Sequence, residues 1–162
     1  MNSPPEGLSR KVFTEPVHFL AFGFGTGLAP KAPGTFGTLP ALALFWLARD
    51  LPLVLHLAIG AVAFVIGIYL CGESARRLGV HDYGGIVWDE IVAMYLTLIV
   101  APPTIAGWVA AFVLFRFFDI VKPWPIRDLD HRLGGGLGIM LDDLVAALYA
   151  SVLLGLYGWL MT

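Results

Sequence analysis

Residues 53–71 read LVLHLAIGAVAFVIGIYLC, without a single Asp, Glu, Lys or Arg. A run of that length is close to what an α-helix needs to cross a hydrocarbon core about 30 Å thick. Inside such a medium each backbone N–H and C=O must be satisfied within the protein, which a helix achieves on its own. Four further apolar stretches accompany it: Thr38–Ala48, Gly85–Ala101, Thr104–Phe118 (to Val121 if Asp119 is included) and Leu137–Met161. The first is too short for a comfortable span, and the last would have to tilt or protrude. Pro102-Pro103 forces a turn between two of them, because proline cannot continue a hydrogen-bonded helix.

Only 14% of the 162 residues are charged, against roughly 25% in soluble domains, and the mean hydropathy is +0.80. The fold expected is therefore all-α: a multihelical integral membrane protein with four to five membrane segments, as a single domain over residues 1–162. Residues 1–17 would form a loosely ordered N-terminal extension. Its opening, MNSPPEGLSRKVFTEP, holds proline and charge where a cleavable signal would need an apolar stretch. The single cysteine, Cys71, permits no internal disulfide and has no thiol-phosphatase loop around it.

Basic residues set the expected orientation. Arg10, Lys11 and Lys31 precede the first segment, Arg76 and Arg77 follow the second, and Lys122, Arg127 and Arg132 lie between the fourth and fifth, just after Arg116 near the end of the fourth. The positive-inside rule then puts these ends at the cytoplasmic face. Asp89 and Glu90, Asp119, and Asp142 and Asp143 fall at that same end of three different segments. A carboxylate at the centre of a membrane helix costs about 2.5–3.5 kcal/mol on insertion scales, so such residues have to find compensation.

Clustered carboxylates repel unless protonated, paired or neutralised by cations. An all-oxygen ligand set suits Mg²⁺, and adjacent Arg and Lys suit phosphate. Metal and phosphate-binding cations at a cytoplasmic lipid interface indicate hydrolysis or transfer of a lipid phosphate. Plainer roles compete: Asp89 could complement a helix start, and Arg116 and Asp119, three apart, could be an ordinary intrahelical pair. Two adjacent aspartates, Asp142-Asp143, gain nothing from each other. The glycine-rich stretch GFGTGLAPKAPGTFGTLP, residues 23–40, is neither a Walker A loop nor a dinucleotide fingerprint. Its backbone and Thr26, Thr35 and Thr38 could still donate to an anion, or simply form a re-entrant turn. His81 and Asp82 could relay a proton, and Trp88, Trp124 and Trp159 fit interface anchors. No nucleic-acid partner is expected.

The motifs GTGLAPKAPGTFGTL, HDYGGIVWDEIVAMYLTL, FRFFDIVKPWPIRDLD and GGGLGIMLDDLVA, in that order, resemble the phosphatidylglycerophosphatase A family over roughly residues 23–147. The resemblance implies a multi-pass, Mg²⁺-dependent enzyme of the bacterial inner membrane, with its active site facing the cytoplasm. Such enzymes remove the terminal phosphate of phosphatidylglycerophosphate to give phosphatidylglycerol. Carried onto this chain, Asp89, Glu90, Asp119, Asp142 and Asp143 become the catalytic carboxylates, with Asp89, Glu90, Asp142 and Asp143 as metal ligands. Arg116, Lys122 and Arg127 would face the substrate phosphates, with Thr35 and Thr38 as helpers. The rival class is a carrier of protons or divalent cations built on intramembrane carboxylates. The acids at one face, the basic companions and the lack of internal repeats favour the enzyme.

Overall fold

The computed structural model describes residues 7–80, 83–124, 126 and 134–160. Within them every regular element is helical. Short helices α1 (Leu8–Thr14) and α2 (Pro16–Ala21) lead into a 3-10 stretch, Gly23–Leu28, then α3 (Pro33–Gly37) and α4 (Leu39–Ala48). The longer elements are α5 (Leu53–Leu78), α6 (Trp88–Leu98), α7 (Ile105–Val121) and α8 (Gly135–Leu160).

Helices α5 and α8, 26 residues each, reach about 39 Å at 1.5 Å per residue and are long and apolar enough to cross a membrane. The other three segments expected from hydropathy are shorter. Helix α6 has 11 residues, about 16 Å, and nearly every side chain on it is buried. Its apolar character serves a protein core rather than a lipid surface, and hydropathy alone does not separate the two. The outward faces of α5, α7 and α8 are apolar: Val54, Val65, Ile105, Ile120, Leu148 and Trp159 are each at least 60% exposed. Faces of this kind mark association with a partner or a membrane.

The ends of the helices follow from sequence. Thr104 caps α7 by accepting from the Gly107 N–H at 3.0 Å, directly after the Pro102-Pro103 turn. At the other end Lys122 precedes Pro123, and a residue before proline is disfavoured in the right-handed helical region. Lys122 adopts φ 44° instead and stops the helix there. A non-glycine residue in that region is uncommon, and here it turns the lysine back towards α8.

Two cores share α6. In one, Ile91, Met94, Tyr95 and Leu98 pack with Phe45, Phe115, Ala146 and Ala150. In the other, Phe22, Leu70, Cys71 and Met140 pack with Leu8 and Val12, so the stretch expected to be a loose extension contributes buried residues of α1. His18 on α2 is buried with Nδ1 2.8 Å from the Ser74 hydroxyl of α5, and that burial pushes its pKa below the ordinary imidazole range. Trp88, expected as an interface anchor, is packed against a neighbouring helix. It is half-buried, and its indole N–H donates to the Ala63 carbonyl of α5 at 3.0 Å.

Helices α5 and α8 meet backbone to backbone through glycine. A Cβ on Gly136 would strike the carbonyl oxygen of Ile68 and lie 2.8 Å from the amide nitrogen of Gly72. Small residues at such crossings let membrane-type helices approach closely. Because backbone cannot move aside as a side-chain end can, Gly136→Ala should cost about 1–3 kcal/mol. It should lower the unfolding midpoint in detergent, whereas Gly158→Ala, with nothing within 4 Å of the added carbon, should leave it unchanged or raise it slightly.

Candidate active site

The three carboxylate-bearing helices converge at one end of the bundle. Asp89 and Glu90 occupy the first turn of α6. Asp119 sits in the last turn of α7. Asp142 and Asp143 lie two turns into α8, about half a turn deeper than a segment starting at Leu137 would place them, because the helix begins at Gly135. Adjacent helical residues point about 100° apart, and the aspartate pair uses that divergence. Asp142 turns towards the end of α7, where its Oδ2 accepts from Lys122 Nζ at 2.6 Å. Asp143 turns towards α6, where Asp89, Glu90 and Asp143 each place a carboxylate oxygen within 4.8 Å of the others. Asp119 adjoins the group across Arg116.

Cations stand beside these acids. Arg116 Nη1 lies 2.6 Å from Asp119 Oδ2 and 3.6 Å from Glu90 Oε1. The Arg116–Asp119 pair is thus intrahelical, as its spacing allows, and also part of the cluster. Arg116, Glu90 and Asp119 side chains are each only 13–14% exposed, and Asp143 is 3% exposed. Some oxygens remain unpaired in this environment: Glu90 Oε2 and Asp143 Oδ2 are buried without a hydrogen-bond partner among the described residues. An unsatisfied buried carboxylate oxygen is costly, and a group of them facing one another is the environment of a cation site.

The glycine-rich stretch does two things. Most of its glycines serve packing: a Cβ on Gly27 would strike the Gly85 carbonyl, and one on Gly37 would lie 2.5 Å from Val87 Cβ. Gly34, in contrast, lies against the Glu90 carboxylate and the Arg116 guanidinium. Thr35 is half-buried on the same short helix. Thr38 is fully buried, and its hydroxyl donates to the Thr35 carbonyl at 2.8 Å rather than offering a free donor. Arg127, His81 and Asp82 lie outside the described residues.

Sequence reasoning missed Gly34 at the cluster; it missed also the left-handed turn at Lys122, which the Lys-Pro dipeptide signalled. A cavity of about 520 Å³ among Phe45, Arg49, His56, Leu98 and Trp108 lies at the opposite end of α6, away from the carboxylates. A smaller apolar cleft of about 230 Å³ runs along α4, α5 and α6 past Leu44, Ile59, Trp88 and Tyr95. It reaches the residue next to Asp89.

A model of the phosphatidylglycerophosphatase A family matches residues 19–157. The chain is 46% identical to phosphatidylglycerophosphatase A of Escherichia coli (strain K12), across 93% of its own length and 88% of that protein. It is 45% identical to phosphatidylglycerophosphatase A of Haemophilus influenzae, across 93% of its length and 92% of that protein. This chain belongs to the phosphatidylglycerophosphatase A family. No solved structure matches it. The relatives make it a phosphatase and lend no support to a carrier. For the phosphatidylglycerophosphatase A family, the carboxylates and cations gathered here are the natural candidates for the site.

Removing one partner of a buried ion pair leaves an uncompensated charge, which costs about 3–5 kcal/mol. Arg116→Met should therefore lower the thermal midpoint markedly. Arg76→Met, in the exposed network with Glu73, should barely move it. Thermal unfolding of both variants in the same detergent checks the contrast.

Proposed function

We propose that this chain hydrolyses the terminal phosphomonoester of phosphatidylglycerophosphate to phosphatidylglycerol and inorganic phosphate, with Mg²⁺, at the cytoplasmic face of a bacterial inner membrane that it crosses several times. The observation that carries the reading is the meeting of Asp89, Glu90 and Asp143 within 4.8 Å, with Arg116 and Lys122 held alongside. The names of the relatives supply the lipid. The multi-pass arrangement is supported by the two long apolar helices and the exposed apolar faces of α5, α7 and α8. The basic residues near the acidic end support the cytoplasmic orientation.

The donor set fits Mg²⁺, which prefers a few carboxylates plus water and phosphate oxygens. Asp89, Glu90 and Asp143 would hold it, and the unpaired oxygens of Glu90 and Asp143 support that fit. Bound there, the ion would offset charge on the transferring phosphoryl group. Asp142 holds the Lys122 ammonium, and Asp119 holds the Arg116 guanidinium. Each pair presents its cation to the phosphate in a fixed place, which makes that cation effective without reorganisation. Water is the nucleophile, and a carboxylate of the cluster takes its proton as it attacks. The new P–O bond then forms as the bond to the glycerol oxygen breaks, and that oxygen regains a proton. The apolar cleft beside Trp88 suits an acyl chain, so that the headgroup would lie at the carboxylates while the tail stays in apolar surroundings.

Phosphate release from phosphatidylglycerophosphate by detergent-purified protein tests this directly. Release should depend on Mg²⁺, cease with chelator, and fall about 10²-fold or more in a folded Asp143→Asn variant. Release that survives both chelator and the variant, or none from folded wild-type protein, would overturn the proposal.

A further inference from the structure

Gly34 is the one glycine of the glycine-rich stretch that faces the carboxylate cluster rather than the packing interior. A Cβ built on it would collide with Glu90 Oε1 and lie 3.0 and 3.1 Å from Arg116 Nη1 and Nη2. The backbone does not require glycine here. Gly34 lies within α3 and is not among the residues with positive φ, so alanine would be the better helix former. The atoms that an alanine would strike are the far ends of two long side chains, which can move at little cost to folding. What glycine preserves at this position is therefore the location of those two groups.

The geometry points to Gly34 as a positioning residue for the phosphatase reaction. Its bare α-carbon gives the Glu90 carboxylate and the Arg116 guanidinium room to meet each other, and thereby sets where both stand relative to Asp89, Asp143 and Asp119. This rests on the reading that Glu90 belongs to the catalytic cluster. Any side chain at residue 34 pushes the Glu90 carboxylate away from the α3 wall by roughly 1 Å, a displacement of the size that costs about 10²-fold in rate. Arg116 follows, because its Nη1 bridges Glu90 and Asp119. Helix α3 thus acts as a fixed wall that determines the geometry of two charged groups without supplying a charge of its own.

A double-mutant cycle tests the assignment. Wild type, Gly34→Ala, Glu90→Asp and Gly34→Ala/Glu90→Asp are compared for kcat, KM and thermal midpoint. Gly34→Ala should keep its midpoint and KM while kcat falls about 10²-fold. Shortening residue 90 by one methylene vacates the space that the new methyl needs, so the double variant should be no slower than Glu90→Asp alone. Losses that multiply, or a Gly34→Ala enzyme at the wild-type rate, would overturn the assignment while leaving the proposed function standing. If Gly34→Ala fails to fold, the double variant must recover folding; if it does not, the contact with Glu90 is not what Gly34 serves. An inactive wild type, or Glu90→Gln with undiminished activity, would instead remove the functional reading beneath it.

Discussion

The structure depends on one electrostatic constraint: carboxylates from α6, α7 and α8 share a poorly hydrated space at one end of a helical bundle. Charges of one sign cannot be gathered there without compensation, because burial strengthens their repulsion and removes the water that would weaken it. Arg116 and Lys122 supply part of that compensation, the first between Asp119 and Glu90 and the second on Asp142. Asp89, Glu90 and Asp143 form the part of the cluster that faces inward on itself. In the proposed reaction the paired acids would hold the cations for the phosphate, and the inward-facing acids would hold a divalent cation.

Close backbone packing makes that convergence achievable. Gly136 lets α8 ride directly on α5, and Gly27 and Gly85 bring the glycine-rich stretch against the segment before α6. The bond from Trp88 to the Ala63 carbonyl then fixes the start of α6, the turn that carries Asp89 and Glu90, against α5. On the far side the Lys122-Pro123 break ends α7 so that the lysine turns onto α8. Helices hold the clustered carboxylates and Arg116, and Lys122 sits in the turn that ends α7.

The acids were legible in the sequence because charge inside an apolar run is costly and therefore purposeful. Asp142-Asp143 is the clearest case, and the helical divergence of neighbours explains why two adjacent aspartates serve two partners. Membership of the phosphatidylglycerophosphatase A family was legible as well, from four motifs in order. The nature of α6 was not: an apolar segment buried among other helices has the same composition as one facing lipid, and only packing separates them. Nor was Gly34. Glycine serves turns, close packing and open space alike, and its purpose is visible only from the residue opposite. Thr38 offers no free donor, since a hydroxyl in a helical turn readily bonds its own backbone, as Thr38 does to the Thr35 carbonyl.

We propose that the inward-facing carboxylates form a divalent-cation site. Mn²⁺ is a paramagnetic substitute for Mg²⁺, and its binding to detergent-purified protein can be followed by electron paramagnetic resonance. Binding to the wild type should be saturable, displaced by Mg²⁺ and lost in Glu90→Gln/Asp143→Asn protein that remains folded. Equal binding by wild type and that variant, or no saturable binding by the wild type, would contradict it.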